Sequence, residues 1–401
     1  MLKDISYIKK KKILNKKIFK NRIIASPISI NLSKNGYVTK ENISFFSNLA
    51  KSGVAMVTVG AAAVSEQASD TLNGMIVGKI KYLKKLKELA NSIKKNKTLA
   101  SLQLFHVGAQ GNPEHSKQEI VGPSRYYFAK IDNVSRALTA IEIKRIKNDF
   151  KNAILQAYKS NFDFIELHLA HGYLLHEFMS NHFNKRKDNY GGKFNNRLRL
   201  IDEILNESYQ SNPNLIGRIG FRISANDYVE RGINILEAKK IVKHLDKFNP
   251  AYFVVTAGLY ETSNYKYIDM KNGKYWDYAK NLKKITNTPI ITQGGITDLY
   301  KASELIKKNY GDFVGLAQSL IADPQLIKKT FSKRENEIIP CISHIKIGAC
   351  HRCRYIKQKK QVFSCITPTS WKPSNKLLKK KEAIKDLKIW ESLNRKIYGN
   401  K

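Results

Sequence analysis

Phe162-Asp-Phe-Ile-Glu-Leu167 leads directly into His168-Leu-Ala-His171-Gly-Tyr173, so a mostly apolar run is followed at once by two imidazoles and a phenol. The apolar run predicts a buried strand, which places the three polar rings in the loop after it. In a (β/α)₈ barrel, such loops build the active site. His168 and His171 can both donate to one anionic oxygen, and Tyr173 can deliver a proton beside them.

Similar apolar runs recur along the chain and alternate with amphipathic segments that are typical of helices. The predicted strands are residues 22–26, 55–60, 99–104, 162–167, 217–222, 252–256, 289–293 and 313–316. The predicted helices include residues 40–52, 81–95, 140–159, 196–207, 235–247 and 299–308. Short apolar strands separated by helices favour a parallel sheet, and eight strands suit a closed barrel. A doubly wound sheet is the alternative, but no G-x-G-x-x-G follows the first strand.

The sequence therefore predicts an α/β protein, a (β/α)₈ TIM barrel over residues 1–335. The alternation of strands and helices stops after Pro340. Residues 336–401 are expected to form a short Cys-rich and Lys-rich C-terminal extension.

Charge is the most unusual feature of the composition. The 401 residues contain 71 basic and 33 acidic side chains, a formal net charge of +38. Nucleic-acid binding is one explanation. Because the lysines are scattered and no nucleic-acid-binding motif accompanies them, we favour a compositional bias and expect no specific nucleic-acid partner. No apolar run is long enough to cross a membrane, and the start lacks a secretory signal, so a cytoplasmic location is expected.

The histidine-containing loop continues in an order that identifies a family. Tyr173-Leu-Leu-His-Glu-Phe178 is followed by Asn184-Lys-Arg186-Lys-Asp188-Asn-Tyr190-Gly191-Gly192 and then by Asn196-Arg197. This order resembles the old yellow enzyme family of FMN-dependent oxidoreductases, whose loop reads H-x-x-H/N-G-Y-L-L-x-x-F and then N-x-R-x-D-x-Y-G-G. Further landmarks cover most of residues 5–335. The resemblance implies bound FMN, with NADH or NADPH as electron donor.

The resemblance also implies which strand ends hold the flavin ring. The end of the first strand would lie along the ring, with the Ser29 side chain at its O4/N5 edge. The resemblance places Gln103 at the N3/O2 edge and Arg222 beside N1/O2, where a guanidinium favours hydride acceptance. Implied flavin contacts at the first five strand ends are Ser26, Pro27, Ile28, Ser29, Ala61, Gln103 and Arg222.

The phosphate of FMN is expected at the loops after the seventh and eighth strands. These loops contain Gly294-Gly295 and Ala317-Gln318. Glycine lets backbone N–H groups approach a phosphate closely. The family normally has arginine where this chain has Gln318, so a charge-assisted bond worth ~1.5–3 kcal/mol is lost. Arg186, Asp188 and Arg197 are expected to brace the long loop by ion pairs. A second departure from the family pattern lies here, since Asn195 stands where the family has a glutamate.

The expected chemistry is reduction of an activated alkene. The resemblance implies that His168 and His171 hold the substrate carbonyl while Tyr173 protonates the α carbon. Two preset donors stabilise the charge that builds on the oxygen during hydride arrival. A metal site at the two histidines is the alternative, with Glu166 or His176 as a further ligand, but no H-E-x-x-H motif is present.

All four cysteines lie after the predicted barrel, at Cys341, Cys350, Cys353 and Cys365. Clustered cysteines in a cytosolic protein favour a metal over disulfides. The chain resembles the subset of the family that includes 2,4-dienoyl-CoA reductase and trimethylamine dehydrogenase, which carries a 4Fe–4S cluster with C-x₂-C-x₃-C-x₁₁-C spacing. Here the spacing is C-x₈-C-x₂-C-x₁₁-C, with His344 where a cysteine is expected. A variant 4Fe–4S site, a zinc site and a site without metal all remain open.

Three functions follow from these features. The first is an FMN-dependent oxidoreductase that passes hydride from NAD(P)H to the activated C=C bond of a carbonyl-bearing small-molecule or acyl substrate. The second is an amine or N-methyl dehydrogenase that passes electrons through an Fe–S centre to a separate electron-transfer protein. The third is a basic binding protein without catalysis.

Overall fold

The computed structural model of the chain describes residues 4–338 and 341, except residues 70, 117, 130–131 and 263–272. Its core is a closed barrel of eight parallel strands, as predicted. Closure is made by β14, which pairs with β3 through Val314 and Ile23, and by β3, which pairs with β4. In chain order, the strands are β1 Lys12–Leu14, β2 Lys17–Phe19, β3 Ile23–Ala25, β4 Met56–Ala63, β5 Met75–Ile76, β6 Leu99–Phe105, β7 Val121–Gly122, β8 Tyr126–Phe128, β9 Asn133–Ala137, β10 Phe164–Leu169, β11 Ile219–Ser224, β12 Phe253–Thr256, β13 Ile290–Gln293 and β14 Phe313–Leu316.

Strands β3, β4, β6 and β10 to β14 form the barrel and are buried along nearly their whole length. Both faces of each strand are covered, one by the barrel interior and one by the surrounding helices. This explains why the sequence shows continuous apolar runs instead of an alternating pattern. All eight predicted strands are confirmed, with ends that differ by a few residues.

Helices surround the barrel. Several begin at side chains that accept from backbone N–H groups: Thr39 and Thr139 form capping boxes, and Asn234 and Asp298 cap two further helices. The helices are α1 Ser6–Lys9, α2 Lys40–Lys51, α3 Leu83–Lys94, α4 Pro113–Ser116, α5 Ala140–Lys159, α6 Leu174–Met179, α7 Phe194–Ser211, α8 Ile235–Leu245, α9 Lys274–Lys283, α10 Leu299–Lys307, α11 Gln318–Ala322 and α12 Leu326–Phe331.

A hairpin of β1 and β2 covers the N-terminal end of the barrel. Phe19 is fully buried there, with its ring centroid 4.8 Å from that of Phe313 and 5.7 Å from that of Phe164. Both partners stand at the start of barrel strands. Aromatic packing therefore closes this end, and the opposite end, where the strands finish, is left to carry the site.

At that opposite end, the segment after β6 forms a small sheet in the order β7-β9-β8. The sequence prediction missed this sheet because its strands are only two to five residues long. The predicted division of the chain at residue 335 stays a prediction, since most of residues 336–401 lie outside the described part. No helix in the described part is long and apolar enough to span a membrane.

Candidate functional site

The three rings predicted from the sequence meet at the C-terminal end of β10. His168 lies within β10, and its ring centroid is 5.1 Å from that of His171 and 4.7 Å from that of Tyr173. His171 and Gly172 both adopt left-handed backbone conformations, with φ of 63° and 77°. This tight turn brings residues only three and five positions apart onto one side of the barrel mouth.

A buried His–Asp pair holds this turn in place. The Nδ1 of His176 accepts from the backbone N–H of Gly172 at 3.1 Å, so Nε2 carries the ring proton and faces Asp227 Oδ2 at 3.0 Å. Both side chains are completely buried. Asp227 also accepts from the backbone N–H of Ile233 at 2.7 Å. The pair therefore fixes the loop that carries His171 and Tyr173, with the tautomer of His176 set by its two partners.

The end of β12 and the segment after it add two residues that the sequence analysis did not select. Thr256 Oγ1 lies 2.9 Å from His171 Nε2, and the Tyr260 hydroxyl lies 3.0 Å from the Tyr173 hydroxyl. The backbone N–H of His171 also donates to Ser224 Oγ at 3.3 Å, at the end of β11. A threonine at the last position of a predicted barrel strand and a tyrosine four residues later were the signal that could have indicated them.

Arg222 lies on β11, directly beside His168 in the strand register. Its Nε and Nη1 atoms are buried and have no hydrogen-bond partner among the described residues. Burial lowers the pKa of Arg222 below its usual value, and the nearby Glu166 carboxylate opposes this effect. Arginine nevertheless stays charged in proteins. Buried nitrogen atoms of a guanidinium without hydrogen-bond partners are unfavourable, so this position calls for an anionic or acceptor-rich ligand.

Gln103 and Glu166 lie beside Arg222 in the barrel. Gln103 Nε2 donates to Glu166 Oε1 at 2.6 Å, and Glu166 is 1% exposed. Burial raises the pKa of Glu166, while Arg222 and the hydrogen bond from Gln103 lower it. Glu166, considered from the sequence only as a possible metal ligand, is thus the hydrogen-bond partner of the Gln103 amide nitrogen.

The C-terminal ends of the first two barrel strands, β3 and β4, lie against each other. The backbone N–H of Ala61 donates to Ser29 Oγ at 3.1 Å. A Cβ on Gly60 would lie 2.7 Å from Pro27 Cβ and 3.0 Å from Gln103 Cβ, so no larger residue fits. Close backbone packing thus joins Ser26-Pro27-Ile28-Ser29, Ala61 and Gln103 into one surface at the barrel mouth.

The loops after β13 and β14 also lie side by side. Ser319 Oγ donates to the carbonyl of Ile296 at 2.9 Å and links the two. Gly294 and Gly295 both have positive φ, 87° and 63°. Gln318 is the first residue of α11, next to Ala317. The structure therefore brings all four residues predicted to hold the phosphate to the ends of neighbouring strands.

The residues expected to brace the long loop after β10 do so. Arg186 Nε donates to both oxygens of Asp188, at 3.0 and 3.1 Å. Arg197 donates to the carbonyls of Met179 and Gly192, at 2.7 Å each, and forms an ion pair with Glu237. The acidic partner of Arg197 is thus on α8, although Asn195 stands where the family has a glutamate.

The cysteine prediction falls almost wholly outside the described residues. Cys341 is described and buried, whereas Cys350, Cys353 and Cys365 are not described. In the described part, no three His, Cys, Asp or Glu side chains converge in a way that could hold a metal ion. The described part therefore does not support a metal site at His168 and His171.

Comparison with known proteins assigns the chain to a family. The model of the NADH:flavin oxidoreductase / NADH oxidase family matches residues 12–337. The chain belongs to this family. The NADH oxidase of Thermoanaerobacter brockii is 33% identical over 334 residues, which are 81% of this chain and 51% of that protein. The NADPH dehydrogenase of Bacillus subtilis (strain 168) is 28% identical over 323 residues, 80% of this chain and 93% of that protein.

Solved structures confirm the fold of this NADH:flavin oxidoreductase family member. A 2-naphthoyl-CoA reductase superposes with a TM-score of 0.84 at 23% identity, over 91% of this chain and 57% of that one. The old yellow enzyme homologue from Zymomonas mobilis superposes with a TM-score of 0.71 at 19% identity, over 81% and 92%. The chain thus spans about half the length of the NADH oxidase and of the 2-naphthoyl-CoA reductase that it resembles. The resemblance drawn from the sequence is confirmed.

Proposed function

We propose that this protein is an FMN-dependent NAD(P)H oxidoreductase that reduces the activated C=C bond of a carbonyl-bearing small-molecule or acyl substrate. The observation that carries the proposal is the grouping of His168, His171 and Tyr173 at one barrel mouth, beside two buried nitrogen atoms of Arg222 that have no hydrogen-bond partner among the described residues. Membership of a flavin oxidoreductase family supports the same conclusion.

The residues present suit FMN. The buried Nε and Nη1 atoms of Arg222 would find acceptors at the N1/O2 edge of an isoalloxazine ring. Ser29, Ala61 and Gln103 would hold the rest of its polar edge, and Gly294, Gly295, Ala317 and Gln318 would hold its phosphate. When bound, FMN would supply hydride transfer between NAD(P)H and the substrate.

The chain itself supplies binding, orientation and a proton. His168 and His171 would hold the carbonyl oxygen of the substrate, and Thr256 sets the orientation of the His171 ring. Their N–H dipoles would stabilise the negative charge that gathers on this oxygen in the transition state. Tyr173 is 7% exposed and its ring lies against that of His168, and its hydroxyl would give its proton to the α carbon.

Anaerobic half-reactions test the proposal. Purified holoenzyme should be bleached by NADH or NADPH, and the flavin colour should return when 2-cyclohexenone is added. A flavin that is bleached by an amine and not reoxidised by the enone would instead establish the amine dehydrogenase alternative. Protein that retains no FMN, even after incubation with FMN, would overturn the proposal.

Replacement of the proposed proton donor gives a sharper test. In Tyr173→Phe, reoxidation by the enone should slow by ~10²-fold or more, because general acid catalysis typically contributes that much. Reduction of the flavin by NADPH should stay within about twofold of wild type. Stopped-flow absorbance measures both steps separately. Equal losses in the two steps would contradict the assignment of Tyr173 as proton donor.

For Cys341, Cys350, Cys353 and Cys365 we propose a variant 4Fe–4S site. The support is their order and the x₁₁ interval before Cys365. Metal analysis and a visible spectrum of protein purified without oxygen should show iron and a broad shoulder over the flavin bands. Cys353→Ser should lose the iron and keep the flavin. Zinc, or no metal, in the wild-type protein would rule the cluster out.

A further inference from the structure

The segment after β12 places a second phenol directly against the proposed proton donor. The Tyr260 and Tyr173 hydroxyls are 3.0 Å apart, and either oxygen can be the donor in this hydrogen bond. Their ring centroids are 6.0 Å apart in an edge-to-face arrangement. The two residues follow different barrel strands, β10 and β12, so the contact exists only in the folded protein.

The position of Tyr260 suits a path for protons. Tyr173 is 7% exposed and is enclosed by the rings of His168 and Phe105. Tyr260 is only partly buried, so the pair leads from the enclosed phenol toward solvent. Once Tyr173 has given up its proton, this arrangement offers its oxygen a neighbouring O–H donor.

The segment that carries Tyr260 is firmly held. Thr262 Oγ1 accepts from the backbone N–H of Leu259 at 2.8 Å and donates to the carbonyl of Asp227 at 2.9 Å. Glu261 accepts from the Tyr126 hydroxyl at 2.8 Å. A donor fixed in this way needs little reorganisation when the charge on Tyr173 changes.

We propose that Tyr260 is a relay residue that returns a proton to Tyr173 during substrate reduction. This inference rests on the proposed ene-reductase function. In the step concerned, the Tyr173 O–H bond breaks as a C–H bond forms at the α carbon, which balances the hydride delivered to the β carbon. Tyr260 then transfers its hydroxyl proton to the Tyr173 oxygen and regains a proton from water. No electrons move in this transfer.

A double-mutant cycle tests the relay. Tyr260→Phe should slow reoxidation by 2-cyclohexenone about tenfold, a part of the usual general-acid effect, and leave reduction by NADPH unchanged. In the Tyr173→Phe background, the same substitution should have no further effect, because Tyr260 acts through Tyr173. Tyr278→Phe is the matched control, since its hydroxyl accepts from Asn226 and not from Tyr173.

A second measurement does not depend on turnover. With 3-fluorotyrosine at position 173 of the holoenzyme, ¹⁹F NMR follows the titration of this phenol. The Tyr260→Phe substitution should move its midpoint to higher pH, because the phenolate loses a hydrogen-bond donor. The Tyr278→Phe substitution should leave the midpoint in place.

The outcomes separate the relay from the proposed function. If the wild-type holoenzyme is reduced by NADPH but is not reoxidised by the enone, both the proposed function and the relay are wrong. If the enone reoxidises the wild type normally, two results overturn the relay alone: an unchanged rate in Tyr260→Phe, or an equal further loss in the Tyr173→Phe background. An unmoved ¹⁹F midpoint would also overturn it.

Discussion

Single residues at the barrel mouth differ in how their polar atoms are satisfied, and this difference indicates their roles. His176 and Asp227 are buried and paired, and His176 also accepts from the backbone, so they support the loop. Arg222 has two buried atoms without partners in the described part of the chain. Because burial without a partner is unfavourable, such a group indicates a ligand position more strongly than a paired group does.

The first residue-scale prediction concerns Arg222. Arg222→Gln should raise the dissociation constant of FMN by roughly 10- to 100-fold, since a charge-assisted hydrogen bond contributes ~1.5–3 kcal/mol. The midpoint potential of the flavin should become more negative, because the reduced form loses a positive partner. Fluorescence titration and spectroelectrochemistry measure the two effects.

Arg218→Gln is the matched control. Arg218 precedes β11 at the opposite end of the barrel, where Nη1 donates to the carbonyl of Asp163. The Arg218→Gln substitution should leave the FMN affinity and the flavin midpoint potential unchanged. A normal FMN affinity and a normal midpoint potential in Arg222→Gln would show that Arg222 does not contact the flavin.

At the scale of elements, the loop after β10 is held by α7 and α8. Arg197 on α7 binds two carbonyls of the loop and pairs with Glu237 on α8. Its side chain is 7% exposed, so these contacts are shielded from water. One arginine thus joins two helices to the loop that follows the proposed active-site turn.

Arg197→Met should therefore lower the free energy of unfolding by about 3 kcal/mol. This is the lower end of the range typical of removing one partner of a buried ion pair. Urea unfolding followed by circular dichroism gives this value. Arg199→Met, two residues along the same helix but exposed, should change it by less than about 0.5 kcal/mol. Equal effects of the two substitutions would show that the buried contacts are not the cause.

The start of α5 should make stability depend on pH. The hydrogen bond from Arg136 lowers the pKa of Glu142 to about 2, and the capping contacts with Thr139 act in the same direction. Because the pKa is depressed in the folded state, this stabilisation is present at neutral pH and is lost as the pH falls through the acid range.

Glu142→Gln should accordingly destabilise the protein by about 1 kcal/mol at pH 7, a value reduced by solvent screening. The difference from wild type should shrink as the pH falls from about 5 toward 2. Denaturant midpoints at several pH values provide the measurement. Glu41→Gln, in the first turn of α2, is the control and should give a small difference. A difference for Glu142→Gln that stays constant with pH would contradict this account.

At the scale of the whole molecule, the net charge of +38 is the dominant feature. Such a charge attracts polyanions without any sequence preference. Binding to a fluorescent DNA duplex should therefore be equal for unrelated sequences and should fall steeply between about 50 and 200 mM salt. Fluorescence anisotropy measures this. A strong preference for one sequence that persists at high salt would revive the binding-protein alternative.

The sequence determined the fold and the proposed catalytic loop, because both depend on local patterns. Continuous apolar runs specify buried parallel strands, and all eight predicted strands are present. The short sheet of β7, β8 and β9 and the hairpin of β1 and β2 were missed, since strands of two to five residues carry too little periodicity to be recognised. The grouping of His168, His171 and Tyr173 followed from their place at and just after the end of β10.

Contacts between different strand ends were decided only by the tertiary structure. The parallel pairing of β10, β11 and β12 brings Tyr260 to Tyr173 and Thr256 to His171 across about 85 residues of sequence. The same pairing places Arg222 near Glu166 and leaves two nitrogen atoms of Arg222 buried without partners among the described residues. Hydrogen-bond partners depend on distance and direction in space, and no local sequence pattern encodes them.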